Sequence, residues 1–503
     1  MNPTLPAIWP QHVLRLFAIV ALLLCLTVAL IRGQSAWAAA AVAPGTAITT
    51  GCEEETMFSL WRAAHGQPVF VDSTRIPFAA AYFNWLFYAS YAVPLRAMIP
   101  ALGDVWLVRI SRLITTALAL GGGAALCWLL RRAGTKFLLA AAIAGFVFFG
   151  PLAGWWPYTA RPDVGALAFE VIGLLALLHG WRHRPLRAVV AAVACFYAAW
   201  SFKQTYVLGL LASLAFLLRH RQWRGLLGLT LGMAGLYVVT FAALGPAYRL
   251  TQASVAGHNI YYLSAGWSTL RDVLIKTSPL WLLLVPAFGA TTPDSPPSNF
   301  ARDARSLGLI GLGIGMPLLS VAVCKQGASS YYFLPIAVML ALASSSALAA
   351  PVARWPVAAA CGGMAALQIA LLTGVAGRVT LREQTAELSA RWQQYRQLGE
   401  PRFSADNRLN LPWLNPSSPP LVLAYNYDAD LAAGVRFEDG GVGGMIENGY
   451  FASLLLPEHN TGRFLGGKLS RYEPGPLVEK MRVYRLSNLA NAPSTRVRVP
   501  GEN

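Results

Sequence analysis

The sequence predicts a mostly α, polytopic membrane protein of about eleven transmembrane helices, with a large first external loop and a small C-terminal α/β external domain. Two observations carry this expectation. The chain of 503 residues is 55% hydrophobic and only 13% charged, with a mean hydropathy of +0.48, whereas a soluble protein carries roughly 25% charged residues. Its charges are also sorted. Basic clusters sit in short loops between apolar runs: RRAGTK (131–136), RHRPLR (182–187) and RHRQWR (219–224). Cytoplasmic loops carry this signature. The same placement removes nucleic acid as the reason for a net charge of +17, because a groove binder needs a continuous basic surface on a folded domain.

The first apolar run, VLRLFAIVALLLCLTVALI (13–31), can cross a hydrocarbon core about 30 Å thick. AWAAAAVA (36–43) then resembles a small-residue cleavage site, but the run exceeds a signal-peptide core and is expected to remain as the first span. Further runs lie near 105–130, 137–156, 164–181, 187–202, 206–218, 225–244, 273–290, 307–323, 332–350 and 356–374. With the N-terminus in the cytoplasm, alternation puts every Arg-rich loop inside, together with 291–306 and 351–355. Residues 44–104 then form the first external loop, and 245–272 a shorter second one. GGG at 121–123 falls mid-span and suits close helix packing.

After 375 the composition turns polar. Residues 380–399 have helical spacing with mixed charge, reading as a solvated helix, while 420–434 and 481–488 read as strands. The odd span count places this tail outside. Residues 1–374 are thus expected to form the membrane domain and 375–503 a small external one. Five of the six cysteines lie in or beside apolar runs and Cys52 in a polar loop. No spacing suggests zinc or a disulfide framework.

Polar residues that are hard to explain gather at the predicted outer face. Glu53, Glu54 and Glu55 open the first external loop, which also carries Asp72 and Arg75. Arg161 and Asp163 lie at one outer turn, Lys203 and Gln204 at the next, and Lys325, Gln326 and Tyr331 at a third. Outer turns are normally poor in lysine and arginine, and ionisable groups at membrane depth are costly. A carboxylate and cations brought together there could supply a general base and a grip on phosphate. Each also has a plain structural reading. Consecutive helical positions diverge by about 100°, so the three glutamates cannot share one pocket. Arg161 with Asp163 could be an ion pair, Lys203 and Lys325 could reach outer headgroups, and Glu170 could pack or pair with Arg109 or Arg112. Helical facing ranks Glu54 above Glu53.

The order of these pieces resembles the GT-C superfamily of polyprenyl-phosphate-sugar glycosyltransferases, near the protein mannosyltransferases and the lipid A aminoarabinose transferase. The likeness rests on Glu53-Glu54; Gly66, Pro68 and Asp72; Arg161-Pro162-Asp163; Lys203-Gln204-Thr205; and Lys325, Gly327, Tyr332 and Phe333, in order over about 10–375. It implies an enzyme moving a sugar from a polyprenyl phosphate to an acceptor hydroxyl on a glycolipid, glycan or protein, at the external face of the inner (plasma) membrane. It also implies that the acid pair supplies the base, although a third acid and a Glu where Asp is commoner leave the choice among Glu53, Glu54 and Glu55 open. Arg161, Lys203 and Lys325 are the expected donor-phosphate ligands, and Asp72, Arg75, Asp163, Gln204, Tyr331 and Tyr332 the other substrate contacts. No cofactor is expected and no metal is demanded, because lipid phosphate is already a good leaving group.

Two other classes compete. A transporter or flippase would place ionisable groups mid-span on broken helices, with repeats. A polysaccharide polymerase or ligase would favour one large late outer loop. Closure of residues 51–75 over the outer ends of the spans bearing Arg161, Lys203 and Lys325 discriminates in favour of the first reading.

Overall fold

The computed structural model describes residues 9–49, 53–257, 261–285, 298–325, 327–348, 354–373, 376–416, 421–458 and 468–487. Among the described residues, seven helices are long and apolar enough to cross a membrane: α1 (Trp9–Val42), α4 (Leu107–Arg132), α6 (Asp163–Gly180), α7 (Pro185–Phe202), α9 (Trp223–Ala243), α12 (Asn299–Ala322) and α14 (Arg354–Thr373). Three shorter apolar helices join them: α5 (Phe137–Phe149), α8 (Leu208–Arg219) and α13 (Leu334–Ala343). The remaining predicted run overlaps α11 (Leu263–Leu282), which carries Arg271, Asp272 and Lys276. Its expected continuation to 290 enters residues outside those described. The protein is thus a mostly α, multi-pass membrane protein.

Burial patterns follow from a lipid solvent. Leu16, Leu23 and Leu30 recur every two turns on the exposed side of α1, while Ala18, Ala21, Cys25 and Val28 face inward. Inside the bundle, small residues let backbones approach. A Cβ on Gly122 would lie 2.5 Å from Phe148 and 2.7 Å from Ala168, which accounts for the central glycine of the 121–123 run, whereas Gly121 and Gly123 have room for a side chain.

The ends of the bundle separate the charges as expected. Asp303 accepts from Arg182 at 2.8 and 2.7 Å and from the Trp181 indole at 3.1 Å. Arg132 approaches His179 at 3.2 Å. These Arg-rich loops therefore share one end. Asp163 and Gly180, the two ends of α6, lie about 25 Å apart at 1.5 Å per residue, so Arg161 and Lys203 belong to the opposite end.

The segment predicted as the first external loop contains α2 (Glu53–Ala64) and α3 (Trp85–Leu102). Three acids in the first turn of α2 complement its N-terminal partial charge, and the Asn84 side chain caps α3. Helix α10 (Gly245–Gly257) likewise occupies the second loop.

One expectation, in the tail, needs correction. A four-stranded sheet runs β1 (Arg402–Ser404), β2 (Ser453–Pro457), β4 (Met481–Leu486), β3 (Tyr472–Val478), with β1–β2 parallel and the other pairs antiparallel. Residues 481–486 are the expected strand. Of the other expected strand, 420–434, residues 421–424 lack a ladder and Tyr427–Ala432 form a short helix, α16. The backbone of Leu423 bonds both ends of the Asn407 amide, and Ala424 N–H reaches the Phe78 carbonyl. Side chains and a distant loop thus take the groups a sheet would have used. The expected solvated helix is α15 (Ala376–Tyr395). One stripe of it, Leu381, Thr385, Leu388 and Tyr395, is buried.

The tail and the first loop build one core. Phe78 and Ala80 pack with Phe403, Tyr427, Phe437, Ile446 and Leu454. Glu438 accepts from the Ile76 N–H at 3.0 Å, and its own N–H donates to the Thr74 carbonyl.

Candidate active site

The N-terminus of α2 lies over the charged ends of the spans, and its three glutamates part company there. Glu53 is wholly buried. Its Oε1 meets the Arg112 guanidinium at 3.2 Å and accepts the Ala160 N–H at 3.2 Å, while Oε2 accepts the N–H groups of Ile48 and Thr49. Arg112 in turn donates to the carbonyls of Ala36 and Thr46. This carboxylate is committed on both oxygens and holds α1, α2, α4 and the 159–162 turn together.

Glu54 turns toward the tail. Burial raises its proton affinity, Asp406 and Glu53 raise it further, and Arg408 opposes them. Asp406 itself, although burial alone would push it up, is drawn below the ordinary carboxylate range by its hydrogen bonds with Arg408 and by Arg391.

Glu55 turns toward the membrane-side cluster. It is 2% exposed, and its Oε2 has no hydrogen-bond partner. Burial pushes its carboxyl well above the ordinary value; Glu54 adds to the shift, while Arg161, the Tyr82 hydroxyl and the Tyr425 backbone amide oppose it. A carboxyl with an uncommitted oxygen, raised proton affinity and a nearby cation has the attributes of a general base.

Beside it lies the cation cluster. Asp163, the first residue of α6, is wholly buried and contacts the Lys203 ammonium directly. Arg161 approaches the same carboxylate at 3.7 Å, a charge contact rather than a hydrogen bond. Lys203 follows the last turn of α7 in extended conformation. Aromatic rings wall the pair. Lys203 Nζ lies 4.4 Å from the Tyr331 ring centroid and 5.2 Å from that of Tyr332, and the Arg161 guanidinium lies 4.7 Å from Trp156 and 5.1 Å from Phe83. Rings of this kind hold cations without neutralising them.

The other expected residues are placed as follows. Gln204 donates to the Tyr82 carbonyl at 2.9 Å and to Gln252 at 3.0 Å, fastening the loop to the membrane end. Asn84 does the same, donating to the carbonyls of Trp200 and Phe202. Lys325 sits on the loop that carries Tyr331, its backbone bridged to Tyr261. Gln326 lies outside the described residues. A polar recess of about 310 Å³ opens between that loop and α11, lined by Arg271, Asp272, Ser329 and Ser330 among others. Asp72 and Arg75 do not join the site: they form an exposed pair at 3.9 Å, with Asp72 also closing a turn onto Thr74. Glu170 packs, accepting the Gly209 N–H at the start of α8, and pairs with neither Arg109 nor Arg112. Among the described residues, no group of three or more His, Cys, Asp and Glu could hold a metal ion.

Sequence reasoning considered Arg112 only as a partner for Glu170 and not for Glu53, and missed Tyr82, Phe83, Trp156 and the tail residues 425–426. Arg112 was detectable as a charge within an apolar run, the criterion that found Lys203. The aromatic residues gave no signal in a chain with 56 aromatic residues distributed throughout: 22 Phe, 16 Trp and 18 Tyr.

No family model matches the chain, and no curated protein does. Among solved structures it is similar to ArnT from Cupriavidus metallidurans bound to undecaprenyl phosphate, at 14% sequence identity and a TM-score of 0.59. The likeness covers 92% of this chain and 97% of that one. The chain therefore shares its overall fold with that ArnT structure over nearly its whole length.

Proposed function

We propose that the protein is an integral membrane glycosyltransferase that moves a sugar from a polyprenyl-phosphate donor to an acceptor hydroxyl at the external membrane face. The observation that carries this reading is the pairing of Glu55, buried with one oxygen uncommitted, with the Arg161–Asp163–Lys203 cluster. Closure of the first loop over the span ends favours it over a transporter, whose charges would lie mid-span. The polyprenyl phosphate bound by the ArnT structure supports the donor class.

In this mechanism the ionised Glu55 takes the acceptor hydroxyl proton as the oxygen attacks the anomeric carbon. The bond from that carbon to the phosphate oxygen breaks, and the electron pair leaves with the phosphate. Arg161 and Lys203 stabilise the departing charge, with Lys325 as a third candidate. Asp163 orients both cations, and the aromatic wall keeps water from competing for them.

Loss of the gene should remove one sugar from an envelope glycolipid or glycan, seen by mass spectrometry as a single missing glycosyl mass. An envelope unchanged in every such species would oppose the reading. Orientation is tested separately. With cysteines introduced at 184 and 400, an impermeant thiol reagent on intact spheroplasts should label position 400 and spare 184. The reverse pattern would invert the membrane and place the site inside.

A further inference from the structure

A recess of about 490 Å³ opens between α1 and α4, lined by Gly33, Trp37, Arg109, Arg112, Leu113 and Tyr158 among others. It faces the bilayer, because Trp37 and Leu113 on its rim are exposed and belong to membrane-spanning helices. Arg109 lies about 35 Å along α4 from Arg132, so the recess sits at the candidate active-site end. Two indole rings flank the Arg109 guanidinium, Trp37 at 5.2 Å and Trp106 at 4.6 Å. Its buried Nε has no hydrogen-bond partner, and among the described residues Arg109 forms no ion pair. Arg112 is placed differently. Glu53 meets its charge, and its terminal nitrogens reach the carbonyls of Ala36 and Thr46. Its Nε, on a side chain only 4% exposed, still has no partner, and neither has the buried Tyr158 hydroxyl.

These donors lie at two depths. Arg112 is nearly one helical turn below Arg109, about 4.5 Å closer to the bilayer centre. Tyr158 packs beside Gly33, a turn below Trp37 on α1, where a Cβ on Gly33 would lie 3.7 Å from its ring. The upper donor carries an unanswered charge and calls for an anion. The lower donors surround a cation already neutralised and call for neutral acceptors. A glycerophospholipid offers both in that order: phosphate outermost, two ester carbonyls beneath it, then acyl chains. A polyprenyl phosphate has only hydrocarbon below its phosphate. We propose that the recess binds one anionic glycerophospholipid, with its phosphate on Arg109 and its ester carbonyls at the level of Arg112 and Tyr158. Exposed Leu113 and Leu120 on α4, and Leu30 and Leu23 on α1, continue the apolar path for its chains. Arg112 ties this lipid to the start of α2, because it also holds Glu53. Any effect on catalysis rests on Glu55 being the base, as proposed above; the binding does not.

The test reads binding and needs no sugar substrate. Full-length protein in detergent is titrated separately with dioleoylphosphatidylglycerol, dioleoylphosphatidylcholine and undecaprenyl phosphate, and bound lipid is counted by native mass spectrometry. The wild type should hold one phosphatidylglycerol, more tightly than phosphatidylcholine. Arg109→Gln should weaken that binding by about tenfold, the scale of one lost charge-assisted hydrogen bond. Gly33→Leu fills the recess with a better helix former and should abolish it. Neither variant should weaken binding of undecaprenyl phosphate, whose proposed ligands are Arg161 and Lys203. Equal phosphatidylglycerol binding by the wild type and both variants would overturn the proposal. So would loss of undecaprenyl phosphate alone, which would give the recess to the donor lipid. Failure of the base assignment would appear elsewhere, as undiminished sugar transfer by Glu55→Gln.

Discussion

Replacing Glu55 by Gln should lower sugar transfer by about 10²–10⁴-fold, the usual cost of losing a general base, while leaving the fold intact. The side chain keeps its shape and its contacts with Tyr82 and the Tyr425 amide but can no longer take a proton. Glu53→Gln should behave differently. Its carboxylate answers the buried Arg112, so the neutral variant leaves that cation uncompensated and should lower the melting temperature. Glu54→Gln should retain most transfer, since Glu54 faces Asp406 and Arg408 rather than the cation cluster. The wild-type pH profile follows from the same geometry. Burial holds Glu55 protonated above the ordinary carboxylate range, and only the ionised form can accept a proton. Activity should therefore be low at acid pH and climb as pH rises through that elevated value. A rate already at its plateau near the ordinary value of 4.5 would contradict this environment.

The second large effect concerns Lys203. Removing it as Lys203→Met leaves the wholly buried Asp163 without its direct cation, and breaking such a buried pair costs about 3–5 kcal/mol. Stability and transfer should fall together. Neutralising the partner as well, in Asp163→Asn/Lys203→Met, should restore most of the stability, because no uncompensated charge remains. Transfer should stay roughly 10²-fold down, the worth of a charge-assisted bond of about 2–3 kcal/mol to a developing phosphate. Thermal melting and turnover measured on the same two variants separate structure from chemistry. Full recovery of transfer in the double variant would leave the cluster a structural ion pair.

The sequence disclosed these residues unevenly, for physical reasons. Spans were legible because the membrane demands length and apolarity, and their ends because loop charge follows topology. Lys203 and Arg161 stood out as costly charges at a membrane end. Their relation to Asp163 was only partly readable: the Arg161 pairing is local in sequence, but the Lys203 contact spans 40 residues. The three glutamates show the limit more sharply. Helical geometry says they diverge, but which one faces the site depends on how α2 is rolled, and Arg112 decides that by gripping Glu53. The tail was least legible. Its 421–424 segment has strand composition, yet its backbone is satisfied by Asn407 and the Phe78 loop. The Phe78 partner is fixed only when the tail folds against residues more than 300 positions earlier.

The central claim is that Glu55 and the adjacent cations move a sugar off a lipid phosphate. The most direct measurement incubates purified wild-type protein and its Glu55→Gln variant in nanodiscs with polyprenyl-phosphate sugars and a detergent extract of envelope lipids and glycans. Released polyprenyl phosphate is then quantified by mass spectrometry. The account predicts release by the wild type, matched by one newly glycosylated acceptor, and loss of about 10²–10⁴-fold in the variant. Equal release by both proteins would contradict it.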